Sequence, residues 1–249
     1  MKAREPDDEF FIVEGRWAVE AVVDQSRFDV LRVVVESGRH SDLSECLLGQ
    51  GIVVNERDRN ELLVDRGFEF HRGIYAEVAR PRIAEVTDED WSQIRSIVVP
   101  YGLADPGNLG TVVRAAAGFG ADAIFFPENL GADPFNRKCI RASATAIFRV
   151  PLFTFRDTDR LLEDLGEHGF VRFSTSLDRA ATPLSQVEPA ERMALFFGGE
   201  ASGLPSSVDL ACEERVRIPM ESNLDSLNVG ASAAVVLYEL LQRKRNTAT

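Results

Sequence analysis

Three loops hold the residues whose types and spacing could do chemistry. The first, residues 101–110 (YGLADPGNLG), contains Asn108 and is followed by Arg114; the second, 198–205 (GGEASGLP), contains Glu200; the third leads from Pro219 through a polar stretch to Ser226 and Asn228. Amides, a hydroxyl, one guanidinium and one carboxylate set among glycines suit a nucleoside-like ligand gripped largely by backbone groups. The set offers no strong base. Other chemistries are poorly supplied. The three histidines are scattered and no HxxE or DxD cluster occurs, which speaks against a metal site and against a Ser-His-Asp triad around Ser226. The only lysines are Lys2, Lys138 and Lys244, so no Walker lysine is present. Gly107 to Gly110 would open a helix after a strand, and Glu128 stands where a ribose-binding acid would sit, but the GxGxxG spacing is missing. A dinucleotide enzyme stays open on the loops alone.

The elements that must position these loops follow from periodicity. Strands are expected at 10–14, 31–36, 52–55 and 74–79, with helices at 16–25, 41–48 and 57–64 between them. That is a small α/β sandwich, whose loops carry Arg16, Arg57, Arg59, Arg66, His71 and Arg72. These arginines are either solvated surface charges or a substrate-gripping face. Residues 79–95 hold a proline and a charge run and read as a linker, with at most a short helix after Thr87. From Ser96 longer βα units begin, with strands at 96–100, 123–126, 150–155, 171–175, 194–197 and 216–218. Helices are expected at 111–118, 136–143 (with Arg137, Lys138 and Arg141), 159–167 and 206–212, and from an N-cap at Ser226 to about Gln242. The last helix has hardly any polar face before Glu239, which predicts burial. About six parallel strands result, and all three polar loops leave carboxyl ends, so they should share one edge of the sheet.

Composition sets outer bounds. A chain of 249 residues, 45% hydrophobic and 27% charged, has material for real cores. No apolar run reaches membrane-spanning length and no signal-peptide core is present, and three cysteines without a CxxC pair suit a reducing cytosol. A net charge of −12 argues at first sight against a polyanionic partner, but almost every basic residue is arginine, the better bidentate phosphate ligand.

The three loops, in this order, resemble the three motifs of the SpoU (TrmH-type) family of S-adenosylmethionine-dependent RNA ribose 2′-O-methyltransferases. Asp105-Pro-Gly-Asn108-Leu-Gly110 with Arg114 is similar to the first, Gly198-Gly-Glu200-Ala-Ser-Gly203-Leu-Pro to the second, and Ile218-Pro-Met with Ser226-Leu-Asn228-Val to the third. Arg141-Ala-Ser143 and Arg149-Val-Pro151 match the stretch between the first two. Gly199, Ala201 and Gly230 depart from the residues usual in the family.

The resemblance implies an α/β chain in three parts. Residues 1–80 would be an L30e-like RNA substrate-binding domain, 81–95 a linker, and 96–249 a parallel-sheet catalytic domain with a trefoil knot. It implies S-adenosylmethionine as cofactor with no metal, held by Thr175, Gly198, Ile218 and Leu227. It nominates Asn108, Arg114, Glu200, Ser226 and Asn228 for catalysis, and Arg16, His71, Arg72, Arg137 and Arg141 for RNA. The implied partner is tRNA or rRNA, the implied assembly a cytoplasmic homodimer through the C-terminal part. An RNA-binding module of the same fold without catalysis is the alternative.

Overall fold

A computed structural model describes residues 9–64, 72–199, 202–221 and 226–247, with the side chains of 63, 64 and 244–247 left aside. His71 and Glu200 therefore lie outside the described residues. The first part comprises β1 (Phe10–Glu14), α1 (Arg16–Val23), β2 (Val30–Glu36), α2 (Ser41–Gly49), β3 (Val54–Arg57), α3 (Arg59–Val64) and β4 (Ile74–Ala79). Its sheet runs in the order β1-β4-β2-β3, antiparallel except for the β2–β3 pair. Strand β3 lies two residues later than the alternation predicts. It is paired with β2 from Val33↔Val54 to Glu36↔Arg57, and α3 starts correspondingly late.

The stretch before the second sheet contains α4 (Asp88–Gln93), closed by a reciprocal capping box between Thr87 and Asp90. It is anchored: Trp91 is buried, and the Thr154 amide donates to the Ala84 carbonyl at 2.9 Å. Then follow β5 (Ser96–Tyr101), α5 (Pro106–Phe119), β6 (Ala123–Pro127), α6 (Arg137–Ala142), β7 (Leu152–Phe155), α7 (Thr158–Glu167) and β8 (Val171–Thr175). The chain ends with β9 (Thr182–Pro183), β10 (Met193–Gly198), α8 (Ser206–Leu210), β11 (Glu214–Arg217) and α9 (Val229–Thr247). The second sheet runs β7-β6-β5-β10-β8-β11-β9, parallel throughout, one short edge strand more than expected. Strands β5 and β10 sit at its centre as near-continuous apolar runs, as strands buried on both faces must be.

Two helix starts near the polar loops also differ from the sequence reading. Helix α5 begins at Pro106, because the Asp105 side chain caps it by accepting from the Asn108 amide at 2.9 Å and Pro106 is pre-set for a first turn. Asn108 and Gly110 are thus in the helix, not in a loop before it. Helix α9 is capped by Asn228 and not by Ser226: the Asn228 Oδ1 accepts from the Gly230 amide at 2.9 Å. Nor is α9 fully buried. Ala233, Val236, Leu237, Leu240 and Leu241 are in the core, but Val235 and Tyr238 are exposed, because α5 covers only one side of the helix.

The two sheets share one packed seam. Phe11 stacks on Phe135 at 4.7 Å and Phe28 meets Phe148 edge-on at 5.3 Å. Arg27 donates to the Val150 carbonyl at 2.9 Å, and Arg137 pairs with Glu14 at 2.8 Å. Aromatic pairs of this kind fix relative orientation as well as burying area.

Candidate functional site

The carboxyl ends of β5, β8, β10 and β11 meet at one edge of the second sheet. A cavity of about 580 Å³ opens there, lined among others by Thr175, Gly198, Ile218, Ser226, Leu227 and Asn228. All four residues expected to hold a cofactor are brought together, with two of those expected in catalysis. The floor is made by backbone packed on backbone. A Cβ on Gly198 would lie 2.3 Å from the Gly203 carbonyl carbon and 2.4 Å from the Leu204 nitrogen, and one on Gly199 would lie 3.0 Å from the Gly102 oxygen. The Gly203 amide donates to the Gly199 carbonyl at 2.8 Å. Gly203 has φ 64°, which favours glycine. Thr175 is fixed by donating to the Phe196 carbonyl at 3.2 Å.

The first loop reaches this cavity through one side-chain bond. The Asn228 Nδ2 donates to the Asn108 Oδ1 at 2.8 Å. Asn228 therefore does two jobs, capping α9 with its oxygen and holding α5 with its nitrogen. The first loop is steadied from the other side by Asp105, whose second oxygen pairs with Lys138 at 2.5 Å. That ion pair, with the Asn108 amide, holds the Asp105 carboxyl below its ordinary range. Helices α5 and α9 touch closely: a Cβ on Gly230 would lie 2.4 Å from Thr111 Cγ2 and 2.7 Å from Thr111 Cβ.

Arg114 lies between two and three turns into α5, exposed, and is not part of the cavity lining. Among the described residues it makes no hydrogen bond or ion pair. The helix that carries it, α5, contacts α9 at Thr111–Gly230 and again at Phe119–Tyr238, 5.7 Å ring to ring.

The residues expected on RNA divide. Arg72, Arg137 and Arg141 line a second cavity, between the two sheets. Arg16 is not there: it is held by Glu20 at 2.8 Å and by a two-pronged contact with Asp42 at 2.6 and 3.1 Å. Asp42 raises the arginine's pKa first and Glu20 second, and Arg16 lowers that of Asp42. Sequence reasoning missed Asp178 and gave no role to Met220 of the third motif, and both also line the first cavity. Asp178 follows the carboxyl end of β8, and that position was the available signal. Its carboxyl is held low by the Ala180 amide first, then by Arg215. Among the described residues no group of three or more His, Cys, Asp or Glu is placed to hold a metal. Among them, too, no helix is long and apolar enough to cross a membrane.

The sequence matches the SpoU rRNA Methylase family over residues 95–238. The chain belongs to that family. An uncharacterised tRNA/rRNA methyltransferase of Mycobacterium tuberculosis is 32% identical, over 92% of this chain and 79% of its own. The 23S rRNA (guanosine-2′-O-)-methyltransferase RlmB of Acinetobacter baylyi is 29% identical, over 92% and 96%. Among solved structures, an RNA 2′-O ribose methyltransferase superposes with a TM-score of 0.76 at 26% identity, covering 96% of this chain and 90% of that one. The SpoU methyltransferase AviRb of Streptomyces viridochromogenes superposes with a TM-score of 0.81 at 22% identity, covering 96% and 91%. Membership in this family of RNA methyltransferases carries S-adenosylmethionine with it as cofactor. The first cavity fits that group: its size is in the range of small-molecule sites, its floor is glycine backbone, and its walls combine apolar Ile218 and Leu227 with polar Thr175 and Asp178.

Proposed function

We propose that this chain methylates a ribose 2′-hydroxyl of a structured rRNA or tRNA, in the cytoplasm, as a homodimer. The observation that carries the reading is the Asn108–Asn228 bond, which ties the first loop to the rim of a cavity containing every residue expected on the cofactor. RlmB of Acinetobacter baylyi, named for guanosine 2′-O methylation, supports the choice of ribose over base.

S-adenosylmethionine supplies a methyl group already activated by the sulfonium charge. The protein's residues then have to place the hydroxyl and stabilise the alkoxide as its proton leaves. Arginine is too weak an acid to serve readily as a base, so Arg114 acts as an electrostatic clamp on the alkoxide or the adjacent phosphate. Asn108 and Asn228 hold the first and third loops in register, and Ser226 at the cavity rim contacts ribose or phosphate. Glu200 orients the arginine or its own loop through charge-assisted hydrogen bonds.

Leu227, Val235 and Tyr238 are exposed apolar side chains on α9 and its approach, and α9 packs against α5, the helix that carries Arg114. A second copy covering these side chains would bury them and could bring partners to Arg114, which has none among the described residues. Residues 96–249 carry the chemistry in this reading, residues 1–80 contribute RNA affinity, and 81–95 join them.

The test is tritiated methyl transfer to rRNA and tRNA transcripts, paired with calorimetry of S-adenosylhomocysteine binding. Arg114→Ala should lower the rate on the order of a hundredfold or more and leave cofactor affinity as it was. Arg114→Lys keeps charge without the planar fork and should rescue part of the rate. RNA binding without any methyl transfer by the parent protein would favour a non-catalytic module instead. Rate and cofactor binding lost in parallel would sink the clamp.

A further inference from the structure

The cavity between the two sheets has a composition that the chemistry above does not use. It measures about 710 Å³, and Trp17, Arg72, Arg137, Lys138, Arg141 and Arg149 are in its lining. Trp17, in the first turn of α1, is 82% exposed, the most exposed large hydrophobic side chain among the described residues. An indole left in water is a poor structural element, since tryptophan is the residue with most to gain from burial or stacking. Single exposed apolar residues are common; what sets this one apart is the charge around it.

Two of the five cations are neutralised, Arg137 by Glu14 at 2.8 Å and Lys138 by Asp105. Arg72, Arg141 and Arg149 are exposed and, among the described residues, their side chains make no ion pair. Three guanidinium groups without an ion pair among the described residues thus line one cavity together with an exposed indole, in a chain of net charge −12. The wall between Arg141 and Arg149 is also unusual. Ala144 and Thr145 have φ of 48° and 70°, and the one other non-glycine residue with positive φ among those described, His40, lies with its Nε2 3.3 Å from the Arg72 carbonyl. Backbone in this region is disfavoured for residues with a Cβ, and most of all for a β-branched threonine.

The cavity connects directly to the first loop. Lys138 pairs with Asp105, the cap of α5, and a Cβ on Gly107 would lie 2.8 Å from Lys138 Cε. The cavity that the indole lines therefore borders the first loop, to which Asn108 belongs.

We propose that this cavity holds one unpaired nucleotide of the RNA substrate next to the methylated position, its base stacked on Trp17 and its flanking phosphates on Arg72, Arg141 and Arg149. A flat aromatic face with guanidinium groups around it matches a base and its phosphates. It selects an unstacked base, because a base inside a duplex has both faces covered. The inference rests on RNA being the substrate. Trp17 is then a positioning residue that sets which structured RNAs are accepted.

The chain has two tryptophans, and the other, Trp91, is 4% exposed, so fluorescence quenching by added RNA reports on Trp17. A short single-stranded oligoribonucleotide should quench the parent and leave Trp17→Phe almost unchanged. Trp17→Ala should raise about tenfold the KM for an unmethylated rRNA transcript that the parent methylates, with Trp17→Phe in between and S-adenosylhomocysteine affinity as in the parent. Replacing Arg141 and Arg149 together by Gln should flatten the salt dependence of RNA affinity by roughly 1.4 in log–log slope. Methylation with parental KM in Trp17→Ala, and no quenching when RNA binds, overturns this proposal and leaves the substrate reading standing. A parent that neither binds nor methylates any RNA overturns the substrate reading, and this proposal with it.

Discussion

Gly230→Ala tests whether the two helices that carry Asn108 and Asn228 are held at their closest possible approach. The added Cβ would sit 2.4 Å from Thr111 Cγ2 and 2.7 Å from Thr111 Cβ. Carbon atoms pack at about 3.5–4.0 Å, so α5 and α9 would have to part by about 1 Å. A rotamer change removes the Cγ2 contact but not the Cβ contact, so the backbone must move. Overpacking of this size costs about 1–3 kcal/mol, offset by about 1 kcal/mol of better helix propensity. The expected net loss is about 1 kcal/mol, or roughly 2–4 °C in Tm for a chain of this length. Activity should fall further than stability, because the same movement stretches the 2.8 Å Asn108–Asn228 bond beyond hydrogen-bonding range. Thr111→Gly removes both clashing atoms. In a double-mutant cycle read by urea denaturation, the pair should therefore recover about 1–3 kcal/mol of coupling and much of the methyl-transfer rate. A coupling near zero, or a Gly230→Ala protein as stable and active as the parent, would refute the close-approach account.

Asn228→Asp keeps an acceptor for the Gly230 amide but has no donor for Asn108, so thermal stability should stay near the parent while methyl transfer drops. Asn228→Ala should lose about 1 kcal/mol of cap stability as well. Equal effects of the two on stability would show that the cap is not the structural role. The Asp105 carboxyl is held below 3.8, chiefly by Lys138, so its contribution to stability is present above that pH and is lost as pH falls through the lower folded value. Asp105→Asn, which can still cap α5, should therefore be less stable than the parent near about pH 6, and the gap should close on acidification below 3.8. A gap that widens in acid would contradict the sign. Gly198→Ala drives a Cβ into backbone at 2.3 Å and should weaken S-adenosylhomocysteine binding about tenfold or more by calorimetry. Unchanged affinity there would mean the second loop is not the cavity floor.

Much of this site was legible in the chain because its information is local. A strand's carboxyl end followed by glycine, asparagine and serine marks a loop on the functional edge, whereas Thr175, Gly198, Ile218 and Leu227, which line one cavity, were singled out only through the resemblance to a family. Helix starts were less legible, since capping depends on which of several polar residues points back. Asp105 caps α5, which therefore starts at Pro106 and not at Thr111, and Asn228 outcompeted Ser226 at α9, in each case through side-chain bonds to backbone amides. The contacts between the sheets were not legible at all. Phe11, Phe28, Phe135 and Phe148 are far apart in sequence and carry no periodic mark that pairs them. The cluster of Trp17 with Arg149 depends on that same seam. The departure at Gly230 also acquires a reason only in three dimensions, since Thr111 occupies the space that a larger residue would take.

The central claim is a methyl group on a ribose oxygen, and alkaline hydrolysis of the product addresses it directly. A 2′-O-methyl group removes the nucleophile that cleaves the neighbouring phosphodiester. Ribosomal or transfer RNA labelled by this protein with tritiated S-adenosylmethionine should therefore release its label as an alkali-resistant dinucleotide. That product should be absent when Arg114 is replaced by alanine. Label recovered instead in alkali-sensitive mononucleotides, on a base, would contradict the ribose assignment.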